Sequence, residues 1–261
     1  MGIEFDKFKD GINQEDIINF FNFLYRHCEP GFLQIFVLTF PRGFDTAEKL
    51  SFEIPEEIEK IPKIFEKFKK PIHMPRFYTP RFHFRPHLLD RQGAISSIPC
   101  FWIDLDQFTP DIEAKLNTFN PPSMVLQTSP QHFHLFWMLK QPLEFKEGDV
   151  VVGIQMRLAK AFGGDTISSV HLGFCSRVPG SLNLKYSNAF QVRYNVTQQE
   201  YNLVDFGSLP HLTISDYIGI FARQKWWAAR GQIEDEQANA VHERVVKAYS
   251  LANGKPDPFC Q

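Results

Sequence analysis

The sequence predicts an α+β fold, a mixed or antiparallel sheet flanked by helices, with a short helical tail at the C-terminus. Three observations carry this. Strand-like and helix-like segments are mixed without regular β-α alternation. A hydrophobic run at residues 101–106 and a hairpin pattern over residues 123–139 read as central strands. From about residue 215 to 252 the apolar spacing becomes helical.

Taken in order, Asn13 is placed to cap a helix over residues 16–24, whose apolar positions form one core-facing stripe. Leu33-Gln34-Ile35-Phe36-Val37-Leu38 reads as a strand. Residues 55–70 read as a short helix broken at Pro62, and the prolines at 71, 75, 80 and 86 are expected to forbid regular structure until about Ala94. After the run ending at Asp106 comes a short helix around residues 111–116. Residues 123–128 and 132–139 form a hairpin about Ser129-Pro130-Gln131. A helix follows over residues 149–162, with Ile154, Leu158 and Phe162 on one side, and Gly163-Gly164 stops it. Val178-Pro179-Gly180 is a turn, and Gln191-Val192-Arg193-Tyr194 reads as a further strand. In the tail, Trp226-Trp227 lie near a break at Gly231 and are expected to pack the tail onto the body.

The 261 residues fit one large domain, or one domain with a small appendage. No long uncharged apolar stretch is present to span a membrane, and the mixed, acidic N-terminus argues against a secretory signal. Cys28, Cys100, Cys175 and Cys260 are scattered without a CxxC pair, so they read as reduced thiols of a cytoplasmic protein rather than zinc ligands. A net charge of −2 does not itself point to nucleic acid, but its distribution does. Between residues 60 and 91, Lys60, Lys63, Lys67, Lys69, Lys70, Arg76, Arg81, Arg85 and Arg91 face only Glu66 and Asp90, and His73, Phe77, Tyr78, Phe82, His83, Phe84 and His87 are interleaved with them. Cations among aromatics suit phosphate contact and base stacking on a single strand. An ordinary solvated basic helix followed by a Pro-rich loop fits the same residues equally well. On the first reading Arg76, Arg81, Arg85 and Arg91 are the nucleic-acid contacts.

Chemistry concentrates further on. In Phe101-Trp102-Ile103-Asp104-Leu105-Asp106 an extended backbone turns Asp104 and Asp106 to one face and Ile103 and Leu105 into the core. Paired carboxylates repel in the absence of a cation and suit hard divalent ions such as Mg²⁺ or Mn²⁺; a strand with a water-facing polar edge is the plainer alternative. Three more segments follow: Thr128-Ser129-Pro130-Gln131-His132-Phe133-His134, then Gly163-Gly164-Asp165, then Ser176-Arg177-Val178-Pro179-Gly180-Ser181-Leu182-Asn183-Leu184-Lys185. Three carboxylates can hold two divalent ions that activate a hydroxyl and neutralise departing pyrophosphate, while histidine, arginine, lysine and small hydroxyls hold a triphosphate. Taken singly each residue has another explanation. Alternation puts His132, His134, Phe136 and Met138 on one face, and Asp165 is also a good N-cap for a helix from Thr166.

In this order the four segments resemble the archaeo-eukaryotic primase superfamily, in particular the RepB-type replication primases of plasmids and phages. The carriers are Ile103-Asp104-Leu105-Asp106, Ser129 to His134, Asp165, and the Arg-x-Pro-Gly-Ser-x-Asn-x-Lys-like run from Arg177 to Lys185. The resemblance implies an RRM-like catalytic core and places Asp104, Asp106 and Asp165 as catalytic metal ligands for Mg²⁺ or Mn²⁺. It implies nucleotide contacts by His134, Ser129, Arg177, Ser181, Asn183 and Lys185. Many relatives carry a glycine in the turn before the histidine where this chain has Gln131 and His132, a departure that bears on Ser129 and His132 more than on His134. The activity implied is primer synthesis on a single-stranded DNA template from NTPs or dNTPs, with a replicative helicase as a further partner and no membrane. The division expected is a primase-type catalytic domain over 1–212, with an N-terminal α/β part over 1–98 and a motif-bearing core over 99–212, and a helical tail over 213–261.

A second resemblance competes. His132-Phe133-His134 matches the His-hydrophobe-His signature of HUH nickases and rolling-circle initiators, in which both histidines bind one metal and a tyrosine attacks DNA. Such enzymes carry a lysine three or four residues after the tyrosine, and Tyr186, Tyr194, Tyr201, Tyr217 and Tyr249 lack one. A non-catalytic nucleic-acid-binding module is the third reading, though clustered carboxylates do not help a polyanion to bind.

Overall fold

The computed structural model describes residues 11–39, 48–67, 75–80, 83–84, 95–144, 148–166, 175–183 and 189–213, together with 215, 216, 218, 219, 222 and 243. Helix α1 (Gln14–Tyr25) starts where the sequence places it. The Asn13 side chain accepts a hydrogen bond from the Asp16 N–H at 3.5 Å, and Ile17, Phe20, Phe21, Leu24 and Tyr25 form the buried stripe. Strand β1 (Gly31–Thr39) pairs with β2 (Glu48–Ile54). The break expected at Pro62 is the start of α2 (Pro62–Lys67), preceded by a 3-10 turn at Ile58–Lys60; a proline at the first helical position gives up no needed N–H.

The prolines after residue 70 do not exclude regular structure. Pro75 and Pro80 are the first and last residues of β3 (Pro75–Pro80), and β4 (His83–Phe84) follows. Strand ends are where a missing N–H costs a ladder least, so the expectation of an irregular stretch is corrected. Next come β5 (Ile95–Leu105), α3 (Pro110–Thr118), the hairpin β6 (Met124–Gln127) and β7 (Phe133–Glu144), and α4 (Gly148–Phe162). The short strands β8 (Cys175–Arg177), β9 (Leu182–Asn183), β10 (Phe190–Gln191) and β11 (Arg193–Val196) complete the series. The helical positions 215, 216, 218, 219, 222 and 243 fall in the expected tail; Trp226 and Trp227 lie outside the described residues.

Among the described residues nine strands form one antiparallel sheet: β11, β6, β7 and β5 follow in order, β4 pairs with β5, β3 and β4 share one side of β1, β2 takes its other side, and β8 pairs with β3. Helices cover both faces, which is why the first seven residues of β7 are all buried. Phe101, Ile103, Leu105, Leu135 and Trp137 pack against Leu116 of α3 and Val151, Leu158 and Phe162 of α4. On the opposite face Cys100, Trp102, Phe136 and Met138 pack with Phe20, Phe21 and Leu24 of α1 and Phe65 of α2. Alternation from Cys100 to Leu105 of β5 therefore splits the molecule into two cores, an irregularity between Ile98 and Cys100 resets the parity, and Asp104 continues the α1 face.

Strand β8 lies in the space beside β5. β3 and β4 run along one side of β1, since Phe36 and Val37 pair with both β2 and β3 and Phe32 with both β2 and β4. β8 pairs with β3 on the side away from β1, the same side on which β4 pairs with β5. The chain beyond β8 meets the segment feeding β11: the Gly180 N–H donates to the Val192 carbonyl at 2.8 Å and the Val192 N–H to the Ser181 carbonyl at 2.9 Å. The Pro179-Gly180 turn also seats on the start of α1, with the Asn13 N–H donating to the Gly180 carbonyl at 2.9 Å. Gly180 has φ of +76°, and a Cβ there would lie 2.4 Å from the Asn13 carbonyl oxygen. Both the backbone angle and the space demand glycine. Gly180→Ala is expected to lower unfolding stability by at least about 2 kcal/mol in urea titration; a variant within about 0.5 kcal/mol of the parent would show that the turn is not closed as described.

Candidate active site at the end of the central strands

The site begins with one cross-strand pair. In the β5–β7 ladder Asp104 stands opposite His134, and alternation turns both side chains toward the α1 face, beyond the apolar pairs that fill it. His134 Nε2 lies 3.5 Å from Asp104 Oδ1. One step outward His132 Nδ1 lies 3.2 Å from Asp106 Oδ1, where the Asp106 side chain is 77% exposed against 26% for Asp104. The inner pair thus sits in a poorly solvated position and the outer pair in a solvated one, where an ion pair is worth little.

The third acidic residue arrives by main chain. Beyond Ser97, the last β5 residue paired with β4, the side of β5 away from β7 has no strand partner among the described residues. Other groups occupy it. The fully buried Gln155 of α4 accepts from the Trp102 N–H at 3.3 Å, and the Asp104 carbonyl accepts from the Asp165 N–H at 2.7 Å. Asp165 reaches that carbonyl because α4 stops abruptly. Gly163 takes φ of +72° and the Gly164 N–H folds back to the Ala159 carbonyl at 2.8 Å, the six-to-one bond of a glycine-terminated helix. A Cβ on Gly164 would stand 3.1 Å from the Asp104 carbonyl oxygen and 3.2 Å from Ile103 Cβ. The double glycine therefore both ends the helix and allows its C-terminus to touch the aspartate strand.

The fourth segment supplies the floor. His134 Nδ1 lies 2.8 Å from Ser176 Oγ, with both residues buried, and the His134 ring meets the edge of Trp102 at a centroid distance of 5.2 Å. Ser176 was not among the residues expected from sequence; only its place beside Arg177 in the fourth segment pointed to it. Arg177 is buried in β8 and stands opposite Tyr78 of β3. Asn183 is buried and donates from Nδ2 to the Thr128 carbonyl at 2.7 Å; Ser181 donates from Oγ to the Val178 carbonyl at 2.5 Å. Ser129 is buried in the turn that the Thr128 N–H closes onto the His132 carbonyl at 2.9 Å. Among the expected DNA contacts, Arg76 lies in β3 at the register position of Leu38. Lys185, Arg81, Arg85 and Arg91 lie outside the described residues.

The structure therefore brings Asp104, Asp106, His132, His134 and the Asp165 backbone to one end of β5 and β7. The carboxylate set is chemically suited to a hard divalent cation. Among the described residues no group of three or more His, Cys, Asp or Glu side chains is gathered as a metal site, and each histidine faces a different aspartate rather than a shared point. That separation does not favour the two-histidine metal centre of the HUH reading. No described helix is long and apolar enough to cross a membrane.

Comparison with known proteins follows the same four segments. Residues 86–203 match the RepB DNA-primase N-terminal domain family. No curated protein matches the chain. Among solved structures, the archaeo-eukaryotic primase domain of the cyanophage S-2L primase-polymerase superposes with a TM-score of 0.55 at 17% identity, covering 79% of this chain and 99% of that one. The catalytic domain of primase RepB′, solved in complex with initiator DNA, gives 0.51 at 14% identity over 84% of this chain and 100% of that one. Primase RepB′ gives 0.51 at 13% identity, covering 92% and 96%. The α+β primase-type fold expected from the motifs is borne out, and the expected RepB-type likeness is carried by residues 86–203.

The buried Asn183–Thr128 bond gives this subsection its test. Asn183→Ala removes the donor and leaves a buried carbonyl, so a loss of about 1–3 kcal/mol in urea unfolding is expected. Unchanged stability with weakened nucleotide binding would instead place Asn183 against ligand.

Proposed function

Since residues 86–203 match the RepB DNA-primase domain family, we propose that this chain is a primase or primase-polymerase acting on single-stranded DNA, in plasmid or phage replication. The reaction is nucleotidyl transfer: a 3′-hydroxyl, or the hydroxyl of an initiating nucleotide, attacks the α-phosphate of an NTP or dNTP and pyrophosphate departs. One observation carries the reading. The cross-strand Asp104–His134 pair and the Asp165 N–H on the Asp104 carbonyl join three of the four motif segments at one strand end. A structural role alone would not require acidic side chains there.

Asp104, Asp106 and Asp165 would hold Mg²⁺ or Mn²⁺, which would supply activation of the attacking hydroxyl and charge neutralisation of the leaving pyrophosphate. The remaining chemistry belongs to the side chains. His134, braced by Trp102, presents Nε2 beside Asp104 at the mouth of the site. Arg177 and Lys185 add positive charge to balance a triphosphate. Ser129, Ser181 and Asn183 shape the turns around it, with Ser181 and Asn183 spent on backbone carbonyls. The basic and aromatic segment with Arg76, Arg81, Arg85 and Arg91 is the proposed path for the template strand.

Extension of labelled primers on single-stranded DNA with Mg²⁺ or Mn²⁺ tests the proposal. Asp104→Asn and Asp106→Asn should each reduce product to below about one-hundredth while the far-ultraviolet spectrum and melting temperature stay near those of the parent. Full activity in either variant would remove the acidic pair from the mechanism, and nicked DNA carrying covalently attached protein would favour the HUH chemistry. Gly164→Ala should cost about tenfold in rate by pushing Asp165 off the Asp104 strand; a rate equal to the parent would mean that this contact does not position the site.

A further inference from the structure

We infer that Ser176 is the positioning residue that selects the working orientation of His134. The inference rests on the primase reading above for its kinetic consequence, though not for its geometry. A histidine ring rotates about its last torsion between two states of similar shape, which exchange Nδ1 with Cδ2 and Nε2 with Cε1. Shape alone does not choose between them. Trp102 packs against the ring by its edge and accepts either state. The group that distinguishes nitrogen from carbon on the inner side is the Ser176 hydroxyl, 2.8 Å from Nδ1 and fully buried. Only with Nδ1 on Ser176 does Nε2, rather than a C–H, stand 3.5 Å from Asp104 Oδ1 at the mouth of the site.

The hydroxyl is itself oriented. Ser176 Oγ also lies within donating distance of the Arg177 main-chain carbonyl, at 3.2 Å. A serine that donates to that carbonyl accepts from Nδ1–H, so the strand carrying Arg177 fixes the hydroxyl and the hydroxyl fixes the ring. Outer partners of this kind commonly orient functional histidines through the nitrogen that does not face the ligand. Because β8 pairs with β3, the same bond ties that strand pair to the site.

Two variants and two readouts test this on the full chain. Ser176→Ala removes the bond; Ser176→Cys keeps a weak donor and acceptor at nearly the same place. In primer extension Ser176→Ala should lower kcat/KM by about ten- to a hundredfold, with partial recovery in Ser176→Cys. In a His134→Ala background the same serine change should cost less than about twofold, because its only route to the reaction has gone. An equal loss in both backgrounds would make Ser176 merely structural, and no loss in the parent would overturn the inference outright. If the parent chain makes no product, the primase reading fails. The ring nitrogen resonances of His134 then decide the geometry by themselves. A moved Nδ1 signal in Ser176→Ala, with His211 unaffected, supports the bond; an unmoved one overturns it.

Discussion

The seating of β8 beside β5 is the constraint on which the site depends. Among the described residues β8 pairs with β3 alone, and beyond Ser97 the facing side of β5 has no strand partner. Here the segments are fastened by a few buried polar bonds rather than by a continuous ladder. Gly180 and Ser181 exchange main-chain bonds with Val192, Asn183 reaches Thr128, and Ser176 reaches His134. Each is buried, so leaving any of them unmade costs more than making it gains. The residues nearest the proposed chemistry are therefore also those that hold these segments together.

Much of this arrangement was legible in the sequence because it follows from period-two geometry. The alternation around Asp104 and Asp106, the hairpin that sets His134 across from them, and the double glycine before Asp165 are local patterns, and the structure reproduces each. Other features are not local. Pro75 and Pro80 mark the ends of a strand instead of excluding one, because tertiary pairing with β1 and β8 outweighs the local bias. Strands of two or three residues such as β8, β9 and β10 have no periodicity to detect. Ser181 and Asn183 lie in a run whose composition suits phosphate, yet their polar groups serve main-chain carbonyls that only the folded chain brings near. Ser176 was passed over for the same reason: its partner is 42 residues away, on a strand with which β8 does not pair.

The site also shows how unlike neighbouring acid–base pairs can be. Asp104 with His134 and Asp106 with His132 repeat the same pairing one step apart along the strands. The inner pair is walled by Trp102 and Ser176, while the outer carboxylate is largely in water. Charge added near the inner pair is felt through a lower effective dielectric than charge added near the outer one. A gradient of this kind gives two chemically identical residues different work to do.

Helix α1 has a consequence for what counts as a minimal unit. The stretch that matches the primase family begins at residue 86, well after this helix. Yet α1 forms much of one core, and its capping Asn13 holds the Gly180 carbonyl at the turn after β8. A chain trimmed to its recognisable motifs would keep every proposed catalytic side chain while losing the wall against which their loop is set. Sequence recognition here draws a smaller border than cooperative folding does.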